Sequence, residues 1–256
     1  MSMRRTAPVA VLDSGVGGVG VLREIKNILP HEDLLYFGDS ANAPYGEKST
    51  EEVRALVHAH AARLFARAKA LVLACNTATA AAAATLRAQY PNLPIIGMEP
   101  AVRPALRVKP HPRILILATA ATLREQKLRE LLSHHASEAH FYKCPAPGLV
   151  RLVETGMADS PEADRYLAAL LRPHVARFTP DAVVLGCTHF PFASKALTRF
   201  FGTNVPLFDG AKGTAAELCR RLAASDLLHP RRTHGTVTLT SSDPQQLSLY
   251  RRLLAP

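Results

Sequence analysis

The chain has 256 residues, of which 48% are hydrophobic and 20% are charged, and its formal net charge is +10. This composition supplies enough apolar residues for a hydrophobic core and excludes a wholly disordered chain. The basic residues are scattered, and no aromatic residues are interleaved with them as in a nucleic-acid-binding stripe. We therefore expect a solvated basic surface and no nucleic-acid partner.

Several sequence signals are absent, which narrows the expected location and chemistry. The longest apolar stretch, 70–86, contains an asparagine and three threonines, so we expect no transmembrane helix and no membrane partner. No signal peptide is recognised before Asp13, and the four cysteines form no CxxC pair, which favours reduced thiols in the cytoplasm. His58 and His60 are expected at exposed helix positions, and no histidine spacing predicts a metal site.

Predicted strands and helices alternate along the chain, which is typical of α/β proteins with parallel sheets. Ser49 and Glu52 form a candidate capping box, and Pro161 suits a first helical turn after Ser160. The clearest helices cover residues 49–68, 77–89, 122–134, 161–177 and 211–224. Strands are predicted over residues 9–12, 34–37, 71–74, 95–97, 114–118, 141–143, 183–186, 205–208 and 236–240.

These strands fall into two similar rounds, that is, two successive series of strands and helices with the same order of elements. Val9–Ser14 opens the first round and Ile114–Thr119 opens the second, and a strand that ends in a cysteine comes third in each. The Pro-rich stretch 100–112 is the expected crossing between the rounds, and after Pro206 the chain is expected to return to the first. The sequence therefore predicts two α/β domains, residues 1–98 plus 208–256 and residues 99–207.

The two cysteine strands are the most informative feature of the chain. Leu71–Thr77 and Val183–His189 are apolar runs, typical of strands buried on both faces, and each ends in a cysteine followed by hydrogen-bonding residues. Open α/β sheets bind ligands at the carboxyl ends of their strands, and a following helix start favours a thiolate. Two opposed thiols could take a proton from one face of a carbon and return one to the other. Asp13 and His189 are the candidate proton partners of Cys75 and Cys187.

Other interpretations of the cysteines remain open. They could be buried structural residues or a redox pair, although redox pairs favour CxxC spacing. A nucleophilic Cys187–His189 pair for acyl transfer is disfavoured because residues two apart on a turn seldom point at each other, and because it leaves Cys75 unused. Cys144 and Cys219 lack the repeated setting and are expected to be ordinary thiols.

A dinucleotide site is a further alternative. Gly15–Gly20 fits the GxGxxG pattern after a strand, and Asp39 stands near the acidic position expected for a ribose. Asp13 and Ser14 directly precede this turn, however, and a carboxylate there would repel a pyrophosphate. The glycines are better explained by a tight turn that lets the backbone approach a ligand. This second explanation favours an anionic ligand held by the following helix start.

Several motifs in the same order resemble the glutamate racemases of the aspartate/glutamate racemase superfamily, over nearly the whole chain. The matching segments are Asp13–Gly18, Gly38–Gly46, Ala74–Ala78, Leu152–Glu154 and Gly186–Pro191. The resemblance implies two pseudo-symmetric, mostly parallel α/β domains with the active site in the cleft between them. It also implies cofactor-independent interconversion of L- and D-glutamate, which supplies D-glutamate for peptidoglycan, and a homodimer.

The resemblance also implies roles for individual residues. Cys75 would take the α-proton of D-glutamate with the help of Asp13, and Cys187 that of L-glutamate with the help of His189 and Glu154. Ala120 and Ala121 depart from the family, which commonly has Glu-Gly between the neighbouring threonines. The implied substrate-binding residues are Asp13, Ser14, Pro44, Tyr45, Gly46, Asn76, Thr77, Thr119, Thr122, Thr188 and His189.

The substrate and the class of function have alternatives too. Relatives in the superfamily racemise aspartate or hydantoins, and Pro44–Gly46 together with Cys75–Thr77 favour glutamate. Some members are held to inhibit DNA gyrase, which would make the chain a binding protein. No sequence feature marks a gyrase-binding surface.

Overall fold

The computed structural model describes residues 5–255 of the chain. Its strands are β1 Val9–Asp13, β2 Leu34–Gly38, β3 Ala70–Leu73, β4 Ile95–Gly97, β5 Arg113–Ala118, β6 His140–Pro145, β7 Ala182–Gly186, β8 Leu207–Asp209 and β9 Val237–Ser241. Its helices are α1 Val19–Ile28, α2 Thr50–Phe65, α3 Asn76–Gln89, α4 Val102–Ala105, α5 Ala120–Arg124, α6 Gln126–His134, α7 Pro147–Glu154, α8 Pro161–Val175, α9 Ser194–Phe201, α10 Ala211–Ala224 and α11 Leu247–Leu254. Short 3₁₀ helices cover Ser40–Asn42, Tyr45–Glu47, Phe190–Ala193 and Pro244–Gln246.

The chain divides into two compact units. The first unit contains the described residues up to Met98 together with those from Ala211 onward, and the second covers Glu99–Gly210. The sequence predicts the return to the first unit at residue 208. Leu207–Asp209 instead pairs with β7 as the last strand of the second unit, so the return begins at Ala211.

The first unit is built on a five-stranded sheet in the order β4-β3-β1-β2-β9. All of its strand pairs are parallel. Every residue of β1 and β3 is buried, which explains their uninterrupted apolar sequences. The returning segment supplies the edge strand β9 and the helices α10 and α11, which pack against α1. This segment therefore completes the first unit.

The second unit is built on a four-stranded parallel sheet in the order β6-β5-β7-β8. Read from the other edge, this order matches β4-β3-β1-β2 of the first unit, strand for strand. The predicted pair of similar parallel-sheet domains is therefore confirmed. The register pairs Leu12 with Leu73 in one sheet and Leu117 with Leu185 in the other, so Asp13 and Ala118 occupy equivalent positions.

Local sequence signals account for several helix boundaries. The capping box is present, with the Ser49 hydroxyl accepting from the Glu52 amide and the Glu52 carboxylate accepting from the Ser49 amide. The Ser160 hydroxyl caps α8, which begins at Pro161 as expected. The single helix predicted over 122–134 is wrong: extended backbone at Glu125 separates α5 from α6. No helix among the described residues is long and apolar enough to cross a membrane.

Candidate active site

In the first unit, Cys75 lies between the end of β3 and the start of α3. It is the N-cap residue of this fourteen-residue helix, and its Sγ accepts a hydrogen bond from the Ala78 amide at 3.4 Å. The amides and the dipole at a helix start stabilise negative charge. This position therefore favours the thiolate form of Cys75, the form that can take up a proton.

Asn76 and Thr77, the first two residues of α3, are both buried. Only 6% of the Asn76 surface is exposed, yet its side-chain Oδ1 and Nδ2 form no hydrogen bond within the described residues. An unsatisfied buried amide is costly, by about 1–3 kcal/mol for each polar group. Beside a helix start, this amide is well suited to bind a polar, anionic ligand.

Asp13 ends β1, the strand beside β3, and it is fully buried. Its Oδ1 accepts from the Gly15 amide at 3.0 Å, which fixes the carboxylate at the start of the glycine-rich turn. A Cβ on Gly18 would come within 2.6 Å of the Asp13 Cβ and 3.0 Å of the Ala74 Cβ. Glycine is needed there because α1 packs closely against both strand ends. Ser14 is buried next to Asp13.

Tyr45 is buried beside the same strand ends, and its hydroxyl donates to Asp39 Oδ2 at 2.7 Å. Burial raises the pKa of Tyr45 far above its usual value, and the hydrogen bond to Asp39 and the negative charges of Asp39, Cys75 and Asp13 add to this increase. Tyr45 therefore stays a neutral hydrogen-bond donor. Pro44 and Gly46 flank it, and Gly46 lies in the same 3₁₀ helix as Tyr45.

The surroundings of Asp39 contradict a ribose-binding role. Its side chain is fully buried and accepts from Asn42 Nδ2 at 3.0 and 3.1 Å and from Tyr45, and it lies 2.9 Å from His60 Nε2. Burial alone would raise the pKa of Asp39, but the hydrogen bonds from His60, Tyr45, Asn42 and Ser242 hold it well below its usual value. His60 is half-buried against Phe37, so the expectation of an exposed position is wrong for this residue.

In the second unit, Cys187 follows β7 and forms a relay with two other side chains. Its Sγ lies 3.7 Å from His189 Nδ1, and His189 Nε2 lies 2.6 Å from Glu154 Oε1 at the end of α7. His189 is buried and Glu154 is half-buried. The imidazole therefore connects the thiol to a carboxylate, an arrangement that can hold or transfer a proton.

The argument from spacing against a Cys187–His189 contact is wrong. The Phe190 amide donates to the Cys187 carbonyl at 3.2 Å and closes a tight turn before the 3₁₀ helix Phe190–Ala193. This turn directs the imidazole back toward the thiol. Such a contact depends on local backbone geometry, which the spacing of residue types does not define.

The relay changes the titration of His189. Burial alone would lower its pKa, but hydrogen bonds to Cys187 and Glu154, and the negative charges of these two groups, raise the pKa well above its usual value. The imidazolium form is therefore favoured while a thiolate and a carboxylate lie beside it.

The remaining site residues of the second unit lie near the carboxyl ends of its strands. Thr119 follows β5 and caps α5: its Oγ1 accepts from the Thr122 amide at 3.2 Å and donates to Thr122 Oγ1 at 3.0 Å. Both threonines are buried, as is Thr188, which follows Cys187. Cys144 is buried within β6, which raises its pKa to about 11, and Cys219 is half-buried on α10.

The structure assigns the predicted residues to the two units. The first contains Cys75 with Asp13, Ser14, Pro44, Tyr45, Gly46, Asn76 and Thr77. The second contains Cys187 with Thr119, Thr122, Glu154, Thr188 and His189. The sequence interpretation missed the contacts of Asp39 and His60, because 21 residues separate them along the chain. No group of three or more His, Cys, Asp or Glu side chains in the described part of the chain is arranged to hold a metal ion.

Together these features define an α/β protein of two similar parallel-sheet units, each with a buried cysteine just after its third strand. Known proteins are similar to this chain in sequence and in fold. A family profile described as Asp/Glu/Hydantoin racemase matches residues 17–218. Glutamate racemase from Ectopseudomonas mendocina is 44% identical over 249 residues, 97% of this chain and 94% of the relative. Glutamate racemase from Clostridium acetobutylicum is 42% identical over 250 residues, 96% of this chain and 97% of the relative.

A solved structure extends the comparison to three dimensions. Glutamate racemase from Francisella tularensis, solved in complex with D-glutamate, has a TM-score of 0.84 and 25% identity. The match covers 98% of this chain and 95% of that one. The chain belongs to the Asp/Glu/Hydantoin racemase family.

Proposed function

We propose that this protein is a glutamate racemase, an isomerase that interconverts L- and D-glutamate through two cysteine thiols and without a cofactor. The observation that carries the proposal is the pair of equivalent cysteines, each after the third strand of its unit, with Cys75 at a helix start and Cys187 beside an imidazole. Identity of more than 40% to glutamate racemases, over nearly the full chain, supports glutamate as the substrate.

The reaction consists of two proton transfers at one carbon. With D-glutamate, the Cys75 thiolate takes the Cα proton, and the electron pair of the C–H bond delocalises into the α-carboxylate. The Cys187 thiol then donates a proton to the opposite face of Cα and becomes a thiolate. L-Glutamate leaves, and the reverse sequence converts L- to D-glutamate. Protons and electrons balance without any further reactant.

The two thiols need different support in this scheme. Asp13 assists Cys75 from the end of the neighbouring strand, while His189, held by Glu154, assists Cys187. An imidazolium stabilises a thiolate and can return its proton to it, so His189 is suited to both directions of the reaction. The raised pKa of His189 supports this role.

The substrate is bound by groups at the carboxyl ends of the strands. The start of α3 and the buried amide of Asn76 suit the α-carboxylate of glutamate. We propose the other binding residues from the family resemblance: Asp13, Ser14, Pro44, Tyr45, Gly46, Thr77, Thr119, Thr122, Thr188 and His189. Each of these residues lies at the end of a strand or in the segment that follows one, and these positions support the set.

The cellular role follows from the product. D-Glutamate is a component of peptidoglycan, and we propose that the enzyme supplies it in the cytoplasm and acts as a homodimer. The full-length similarity to glutamate racemases supports this part of the proposal.

The test is isotope exchange in D₂O with purified protein and no added cofactor. L-Glutamate, D-glutamate and L-aspartate are incubated separately, and deuterium at Cα and optical rotation are followed. We expect deuterium in both glutamate enantiomers and decay of the rotation to zero. A protein that exchanges only aspartate would be an aspartate racemase, and one that exchanges neither glutamate enantiomer would contradict the proposal.

A further inference from the structure

We propose that Asp39 is a positioning residue for the segment 40–47, which we name the substrate loop; the inference rests on the proposed function. Asp39 directly follows β2, and its own amide donates to the Asp13 carbonyl at 3.0 Å. Its backbone is thus continuous with the strand pair that ends at Asp13. Its side chain, in contrast, holds residues of the substrate loop.

Inside the loop, Asp39 holds both a 3₁₀ helix and the tyrosine. Asn42 Nδ2 donates to both of its carboxylate oxygens, and the Tyr45 hydroxyl donates to Oδ2. Hydrogen bonds to a buried carboxylate are stronger than those between neutral groups. One side chain therefore fixes the loop on both sides of Ala43 and Pro44.

Outside the loop, two other elements brace Asp39. His60 on α2 lies 2.9 Å from Oδ2, and its ring packs on Phe37 of β2 at a centroid distance of 4.6 Å. Ser242, which follows β9, is near enough to help lower the pKa of the Asp39 carboxyl, and its hydroxyl accepts from the Ala41 amide at 3.0 Å. The loop is therefore anchored to elements from both chain segments of the first unit.

This arrangement assigns a function to a carboxylate that the proton-transfer scheme does not use. Tyr45 and Gly46 are proposed to bind substrate, and the Tyr45 phenol is already committed to Asp39. Asp39 therefore acts on substrate affinity through the loop and has no direct role in proton transfer. In the second unit only Ala146 separates β6 from α7, so no segment equivalent to the substrate loop follows that strand.

Asp33 offers a matched control at the opposite end of the same strand. It precedes β2, and its carboxylate accepts from the Thr236 amide and hydroxyl, each at 2.7 Å, and from Arg231. Burial raises the pKa of Asp33, but the hydrogen bonds from Thr236 and Arg231 outweigh this and lower it to about 2. Both aspartates are thus ionised hydrogen-bond hubs of the first unit, and only Asp39 holds the substrate loop.

The test compares D39N with D33N by steady-state kinetics, thermal unfolding and amide hydrogen exchange. For D39N we expect KM for each glutamate enantiomer to rise about tenfold, kcat to fall less than threefold, and exchange of loop amides to become faster. D33N should lower the unfolding temperature with KM and loop exchange unchanged. A D39N protein with wild-type KM and wild-type loop exchange would overturn the inference.

A second pair of variants covers the case in which D39N does not fold. His60→Gln keeps a donor near Asp39, whereas His60→Leu removes it, so only His60→Leu should raise KM and loop exchange. Equal behaviour of the two variants would contradict the bracing of Asp39. Amide exchange of the substrate loop is measured without substrate. A wild-type protein inactive on glutamate would therefore contradict the proposed function but not the positioning role of Asp39.

Discussion

The two units have the same strand order, yet different side chains surround their cysteines. In the first unit a carboxylate, Asp13, ends the strand beside the Cys75 strand, and the equivalent residue of the second unit is Ala118. In the second unit Cys187 instead lies beside His189, two residues further along the chain, and Glu154 at the end of α7 contacts the other side of that imidazole. The duplicated fold therefore fixes where the thiols lie in each unit, while the side chains around them differ.

The two cysteines also differ in the source of the positive charge beside them. At Cys75 the helix start supplies amides and a favourable dipole, so a thiolate there does not need a cation. At Cys187 the chain enters a short 3₁₀ helix, and an imidazolium supplies the positive charge. The two thiols thus lie beside different groups that can stabilise negative charge, a helix start in the first unit and an imidazolium in the second.

The largest expected effect is the loss of either thiol. Cys75→Ser and Cys187→Ser should each lower kcat by about 10³-fold or more, because a serine hydroxyl is a far weaker acid than a thiol. Polarimetry with both enantiomers measures this loss. Cys144→Ser is the matched control, since this buried thiol lies within β6, and it should keep most of the activity. Retained turnover in Cys75→Ser or Cys187→Ser would refute the paired roles.

The relay of Cys187, His189 and Glu154 should affect how kcat/KM depends on pH. Glu154→Gln should lower kcat/KM by about 10–100-fold, and His189→Asn by about 10²–10⁴-fold. The Glu154 carboxylate raises the pKa of His189, so its removal lowers that pKa. The imidazolium is then lost at lower pH, and the basic limb of kcat/KM moves to lower pH.

The surface pair His135–Glu138 in the same unit is the control for this prediction. Glu138→Gln removes an equivalent carboxylate, 2.7 Å from His135 Nδ1, and should leave the pH profile unchanged. The two enantiomers share one equilibrium constant of unity, so kcat/KM must change equally in both directions. A Glu154→Gln profile with an unmoved basic limb would show that the relay does not titrate in catalysis.

Asp13→Asn tests the other side of the comparison. The change keeps the size of the side chain but removes the charge beside Cys75, and kcat/KM should fall by about 10²-fold. The basic limb of the profile should stay in place, because the relay of His189 is intact. If this limb moves as it does in Glu154→Gln, the two thiols do not have separate proton partners.

A smaller effect is expected at the close packing beneath Asp13. Gly18→Ala places a Cβ within 2.6 Å of the Asp13 Cβ, so α1 or the aspartate must shift. We expect a loss of about 1–3 kcal/mol in the free energy of unfolding. We also expect about a tenfold loss of kcat/KM from the displaced carboxylate.

Gly213→Ala on α10 is the matched control for Gly18→Ala. Its Cβ would meet no atom within 4 Å, so it should be neutral or stabilising by about 0.5–1 kcal/mol. Chemical denaturation measures both variants. Equal stability of Gly18→Ala and the wild type would show that this contact is not tight in solution.

Sequence alone predicts the features that local patterns encode. The buried cysteine strands and the Ser49–Glu52 capping box are such patterns, since neighbouring residues determine them. Contacts between distant segments are not encoded in this way: 35 residues separate Glu154 from His189, and Ser242 reaches Asp39 from the returning segment. The break at Glu125 was missed for a related reason, because no residue type there forces an extended backbone.

The most direct test of the central claim is Cα exchange in D₂O with the single-thiol variants. Cys75→Ser keeps Cys187, so it should incorporate deuterium into L-glutamate alone, with retention of configuration. Cys187→Ser keeps Cys75 and should label D-glutamate alone. Labelling of both enantiomers by either variant, or of the opposite enantiomer, would contradict two thiols acting on opposite faces of one carbon.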